Sequence, residues 1–346
     1  MYSEYMEYAV KKTCELMAID SPTGFTKKAV DFAKKEFESF GFTTTPTNKG
    51  GLVVHLGGDD KQNGIMLQAH VDTLGAMVAE IKPTGKIRLK ALGGLQSNNC
   101  ETENATIYTR SGKTYSATLQ LHNPSTHVNG EFKDTIRTFN TTELVIDEDV
   151  KSKEDVKALG IRNGDFVAFD PRTRVTESGY IKSRFLDDKM CVGILMAFAK
   201  YIHDTGVSLL RDTYFHITVF EEVGHGGAAS IPDNVTEVIS VDMGCVGDGV
   251  ECTEKEVSIC VKDAGGPYHI DVVNGLIEAA EREDAKYELD VYNNYKSDVE
   301  MALTGGYDIR HGCIGPGVFA SHGYERTHKD GVLNTFKVLK GYLVKK

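Results

Sequence analysis

Several features that would assign the chain to a class at once are missing from it. No stretch approaches the roughly 20 apolar residues that a membrane-spanning helix needs, so no membrane partner is expected. No run of Lys or Arg stands out: 50 acidic residues outnumber 39 basic ones, and the formal charge is −11. Phosphate binding needs clustered cations, which argues against nucleic acid as a partner. The seven cysteines include no C-x-x-C pair, so a zinc ribbon is unsupported and the thiols read as reduced core fillers. The opening residues, MYSEYMEYAVKKTCELMAI, carry early acids and no long apolar core. They read as an amphipathic helix rather than a secretory signal, and a cytoplasmic location is expected. G-x-S-x-G, Walker and H-E-x-x-H motifs are all absent.

What is present is a chain of 346 residues, long enough for two domains. Residues 1–73 alternate helix and strand: helices near 3–18 and 25–40, then strands at LVVHLGG and GIMLQAHVD. Alternation resumes after residue 180. There DDKMCVGILMAFAKYI places Cys191, Ile194, Leu195, Phe198 and Ile202 on one helical face, and strands follow at 213–221 and 237–242. This predicts a mixed-sheet α/β domain from 1–73 and 174–346. Between them, 74–173 holds short strand-like pieces (AMVAEI, KIRLKAL, ATIYTR, YSATLQLH, TTELVID, DFVAFD) separated by turn residues, which predicts an inserted small β-barrel or sandwich.

Chemistry-bearing residues gather where the α/β strands run out. Glu221 and Glu222 adjoin in TVFEEVGHGGA, and paired carboxylates at a strand end repel unless a cation or shared proton relieves them. His70 and Asp72 form an H-x-D pair whose spacing puts both on one face of an extended segment. Asp187 and Asp188 open the helix after RFL, where acids also serve as caps. Asp242 ends EVISVD. A further imidazole comes from GVFASHGYERTHKDG, where either His322 or His328 fits. Nitrogen and oxygen donors of this kind suit two metals sharing a carboxylate, zinc and cobalt equally. Gly224-His225-Gly226-Gly227-Ala228-Ala229 spells the G-x-G-x-x-A of a dinucleotide fold, but the two glutamates just upstream would oppose a pyrophosphate.

The segments AHVDTLGAMV, RFLDDK, FEEVGHGGA, ISVDMG and YERTH occur in the order and character of the tetrahedral and glutamyl aminopeptidases, which the whole chain resembles. The resemblance implies an α/β metallopeptidase catalytic domain with two divalent metal ions per subunit, Zn2+ or Co2+. Asp187 would bridge them, His70 and Asp242 would complete one ion's protein ligands, and Glu222 and His328 the other's. Here the match of the R-T-H segment favours His328 over His322. Glu221 would be the general base, with Asp72 supporting His70 from behind, and a cis peptide would join Asp187 to Asp188. The implied activity is removal of N-terminal residues from short peptides. Related catalytic domains instead act on C-terminal residues or N-acyl groups, and a non-catalytic assembly scaffold would show lost ligands. The insertion would make dimer contacts, in a homo-oligomer from a dimer up to a hollow tetrahedral dodecamer. One departure is His225-Gly226, where relatives often carry Leu-Arg or similar; an imidazole there could alter substrate preference or touch a metal.

Overall fold

The strand that ends in His70 lies inside the largest sheet, paired along both edges with neighbouring strands. In a computed structural model that describes residues 2–345, the chain begins with α1 (Ser3–Met17) and α2 (Lys27–Ser39). Strands β1 (Thr43–Pro46), β2 (Leu52–Gly57) and β3 (Asp60–His70) follow. From Gly64 to His70 every residue of β3 is buried, which is the pattern of a strand covered on both faces. The chain divides into two compact units, one running through Asp72 and resuming at Arg172, the other Thr73–Pro171.

The second unit contains β4 (Gly75–Ile81), β5 (Ile87–Leu92), the single turn α3 (Ser97–Cys100), β6 (Asn104–Tyr108), β7 (Thr114–Leu121), β8 (Thr142–Ile146), α4 (Lys153–Ala158) and β9 (Phe166–Phe169). Its six strands close into an antiparallel barrel in the order β4-β5-β8-β7-β6-β9. They are the six short pieces read from the sequence. Each strand sends alternate apolar side chains inward, among them Val78, Leu89, Ile107, Leu119, Leu144 and Val167, all buried.

The first unit resumes with β10 (Arg174–Val175), β11 (Tyr180–Ser183) and α5 (Leu186–Thr205). Next come β12 (Arg211–Thr218), β13 (Val235–Val241), β14 (Gly244–Val246), β15 (Val257–Lys262), α6 (Ile270–Arg282) and β16 (Tyr287–Val291). The chain ends with α7 (Asp298–Thr304), β17 (Arg310–Phe319), β18 (Glu325–His328) and α8 (Lys329–Leu343). These strands form one mixed sheet, β1-β2-β12-β3-β13-β17-β18-β11-β10, with β14 and β15 also on β17 and β16 beyond β15. Within it β12, β3, β13 and β17 are parallel. The architecture is the expected mixed α/β sheet with a small closed barrel.

Two local expectations are corrected. Strand β12 stops at Thr218, and Glu221–Val223 form a 3₁₀ turn instead of its last residues. Phe220 there has φ 68°, which ends the extended chain and turns both glutamates away from it. Helix α5 does not bury a single face: every residue from Leu186 to Ala199 is buried, because α1 and α8 pack against it while it lies on β3. The approach of α1 is close enough that a Cβ on Gly193 would collide with Thr13 Oγ1 and lie 2.8 Å from the Ala9 carbonyl oxygen. Gly193→Ala should therefore destabilise the protein by about 1–3 kcal/mol, which thermal or urea denaturation would read as a lower midpoint.

Candidate metal centre

Parallel strands end on the same side of a sheet, and β12, β3 and β13 are neighbours. Thr218 of β12 lies opposite His70 of β3, and Ser240 of β13 opposite Gln68. The residues just beyond these ends, Asp72, Glu221, Glu222 and Asp242, are thereby brought together with His70. Asp187 and Asp188 enter from the start of α5 through a cis peptide bond, the geometry the resemblance implied. Both have non-helical backbone angles, and the regular helix starts after them.

His70 is the hub. Its Nε2 lies 3.1 Å from Asp187 Oδ1 and 3.5 Å from Glu221 Oε2. Its Nδ1 is held 2.8 Å from the carbonyl oxygen of Asp72, which fixes the ring with Nε2 facing the acids. The backbone N–H of His70 donates to Asp188 Oδ2 at 3.2 Å. On the other side of Asp187, Oδ2 lies 3.5 Å from His322 Nε2, and the same nitrogen is 3.6 Å from Glu222 Oε2. Donor atoms of His70, Asp187 and Glu222 lie within 4.8 Å of one another, as do those of His70, Asp188 and Asp242.

Two further carboxylates hold this set by its backbone. Asp72 accepts from the amides of Glu221 and Glu222 at 3.2 and 3.3 Å and from Thr23 Oγ1 at 2.8 Å. Its side chain thus fixes the glutamate pair, while its carbonyl supports His70. Glu325 accepts from the amide of Asp187 at 3.1 Å and from that of His322 at 3.0 Å. The Ser297 hydroxyl donates to Asp242 Oδ2 at 2.5 Å, and Asp298 accepts from Thr218 Oγ1 and from the Gly227 amide.

The imidazole that lies beside Asp187 and Glu222 is that of His322, the other candidate in the tail segment, and not that of His328. Both ring nitrogens of His328 are occupied elsewhere. Its Nδ1 accepts from the Asp330 amide at 3.0 Å as the cap of α8, and its Nε2 lies 2.9 Å from the Ser178 carbonyl oxygen. His225 is exposed and stacks on Phe220 with ring centres 5.2 Å apart. Glu325 and Asp298 went unread in the sequence. The H-x-x-E spacing of His322 and Glu325 was the available signal for the first; Asp298 offered only a lone acid after a serine.

A model of the M42 glutamyl aminopeptidase family matches residues 50–338. The YhfE protein of Bacillus subtilis (strain 168), provisionally named an aminopeptidase, is 43% identical over 339 residues, spanning 97% of this chain and 98% of that protein. Among solved structures, aminopeptidase APDkam598 from the archaeon Desulfurococcus kamchatkensis matches with a TM-score of 0.88 at 21% identity, over 99% of this chain and 96% of that one. The TET1 peptidase of Pyrococcus horikoshii, described as assembling into a tetrahedron or a large octahedral shell, matches with a TM-score of 0.84 at 20% identity, over 96% and 98% of the two chains. These structural likenesses carry the fold.

The electrostatics of the cluster fit bound cations. Burial, reinforced by Asp187, pushes the Asp242 carboxyl up to about 7. Burial likewise raises Glu325 to about 8, and it holds Asp188, Glu221 and Glu222 well above the carboxylate range. Burial would also raise Asp187, but hydrogen bonds from His322 and His70 outweigh it and hold that group low. The hydrogen bond to Asp187 in turn lifts His322 to about 9. Asp188 Oδ1 and Asp242 Oδ1 are buried without a hydrogen-bond donor among the described residues. Orphaned, charge-disfavoured oxygens beside an imidazole suit divalent ions. For carboxyls raised in the fold, stability is greatest below the unfolded value and is lost as pH climbs through the folded one. Chelator-treated protein should therefore lose thermal stability between about pH 4 and pH 8, the interval spanned by the Asp242 and Glu325 shifts. Adding Zn2+ or Co2+ should flatten that loss in a pH series of melting curves.

Proposed function

The chain is an aminopeptidase of the M42 glutamyl aminopeptidase family, and on that premise we propose that it removes N-terminal residues from short peptides with the help of two divalent ions. In this reading His70, Asp187 and Asp242 would hold one ion, and Asp187, Glu222 and His322 the other. Bound there, the ions would supply Lewis acidity toward water and the scissile carbonyl. Mixed imidazole and carboxylate donors suit zinc or cobalt.

The observation that carries the reading is the division of labour between the adjoining glutamates. Asp72 grips both of their amides, and the two side chains then part: Glu222 toward His322, Glu221 toward His70. Glu221 is thus close to the metal ligands without being needed as one, which is the position for a group that takes a proton from water and returns it to the leaving amine. A cavity of about 540 Å³ opens over the cluster, walled by Tyr292–Ser297, Met243 and Met301. Its floor of carboxylates favours a substrate that presents a cationic α-ammonium group. Such a floor disfavours C-terminal or N-acylated substrates, so a free-amine aminoacyl p-nitroanilide should be cleaved and its N-acetyl form should not. By analogy with the assembling TET1 neighbour, the chain forms a homo-oligomer, which light scattering after gel filtration would test.

Three substitutions test the roles. Glu221→Gln should lower kcat by about 10²- to 10⁴-fold while metal content stays near that of the parent. His322→Ala should lose about one bound ion per subunit by elemental analysis, and His328→Ala should keep its ions; the reverse result would return the ligand to His328.

A further inference from the structure

A second cavity, of about 690 Å³, lies beside the loop that carries the glutamates, between the start of α2 and the turn joining β1 to β2. In a chain of net charge −11, it is lined by Lys27, Lys28, Lys34 and Lys49 against one acid, Asp31. Phe25, Val30, Pro46 and Leu52 supply apolar surface. Lys27 and Lys34 have ion-pair partners in Asp31 and Glu38, whereas Lys28 is exposed and makes no ion pair among the described residues.

The cavity touches the catalytic machinery at two points. Lys49 Nζ donates to the carbonyls of His225 and Gly226, the latter at 2.6 Å. Gly224, one residue before them, lines the cavity over the metal centre. At the other end Gly24 of this cavity follows Thr23, whose hydroxyl donates to Asp72. Lys49 therefore ties the basic cavity to the turn whose first residue, Gly224, lines the acidic one. A peptide whose ammonium end enters the acidic cavity would lay its downstream part toward the basic one.

We propose that the lysine-lined cavity binds the acidic downstream portion of a peptide substrate. The inference rests on the aminopeptidase reading for its occupant, while the cavity's charge stands apart from that reading. Exposed ion pairs add little each and are screened by salt. The cavity would consequently set a preference among peptides rather than decide whether they are cleaved.

The test uses full-length protein and two fluorescein-labelled peptides that share a free N-terminal Ala-Ala and continue in either Glu-Glu-Glu or Lys-Lys-Lys. Anisotropy on the Glu221→Gln protein measures binding without turnover. The acidic peptide should bind about three- to tenfold more tightly at low salt. The doubly substituted Lys27→Glu/Lys28→Glu form should abolish or invert that preference, as should 0.5 M salt. In the otherwise unaltered enzyme the same two substitutions should raise KM for the acidic peptide and leave hydrolysis of alanine p-nitroanilide, which has no downstream residues, unchanged. Equal binding of the two peptides, or a preference that survives the substitutions, would overturn the proposal. A preserved binding preference with no hydrolysis of either substrate would support the cavity and sink the aminopeptidase reading alone.

Discussion

Carboxylates that the fold forces together in a nearly dry place are the constraint on which this molecule turns. Two unit charges 4 Å apart repel by about 4 kcal/mol at an effective dielectric of 20. The cluster around His70 contains two carboxylate pairs, Asp187 with Glu222 and Asp188 with Asp242, whose oxygens lie within 4.8 Å. No single hydrogen bond offsets repulsion of that size, and the His322 imidazole already serves Asp187 and Glu222 at once. Only protons or divalent ions relieve the rest. The parallel order of β12, β3 and β13 creates this crowding, since it delivers three acid-bearing strand ends to one edge.

Around that centre the backbone adopts conformations that side-chain-bearing residues otherwise avoid. Phe185 precedes the aspartate pair, Phe220 precedes the glutamate pair, and His322 is itself a candidate ligand; their φ angles are 69°, 68° and 64°. Positive φ in non-glycine residues costs of order 1–3 kcal/mol each and persists where surrounding contacts over-determine it. Here the contacts are visible. Asp72 ties the two amides after Phe220, and Glu325 ties Asp187 to His322. Two buried carboxylates outside the donor set thus hold ligand-bearing segments from different parts of the chain in fixed register.

What could be read from the sequence was what repeats with a period or ends abruptly. Buried apolar strands followed at once by acids marked His70, Asp72, Glu221, Glu222 and Asp242, because such acids are out of place at the end of a core strand. The barrel pieces were equally visible as short alternating runs, though alternation alone does not distinguish a closed barrel from a sandwich. The choice between His322 and His328 was hidden for a physical reason. Both imidazoles lie in the same tail segment, and only tertiary contacts show that the His328 ring is engaged by the α8 cap and Ser178. Glu325 and Asp298 were hidden too, since a lone acid that serves backbone amides leaves no pattern.

The glycines after the glutamate pair show how a motif changes meaning with its surroundings. In a dinucleotide fold the glycines of G-x-G-x-x-A make room for a pyrophosphate. Here a Cβ on Gly226 would run into Asp298 Oδ1, and one on Gly227 into the Asp298 carbonyl oxygen. The room they make is filled by α7, whose first residue takes the Gly227 amide and the Thr218 hydroxyl, while Ser297 before it takes Asp242. One peptide unit therefore steadies both the loop behind Glu221 and Glu222 and the acid across the centre from them. The carbonyls of the same turn, those of His225 and Gly226, are taken by Lys49. A helix start and a pair of glycines, rather than a phosphate, explain the motif.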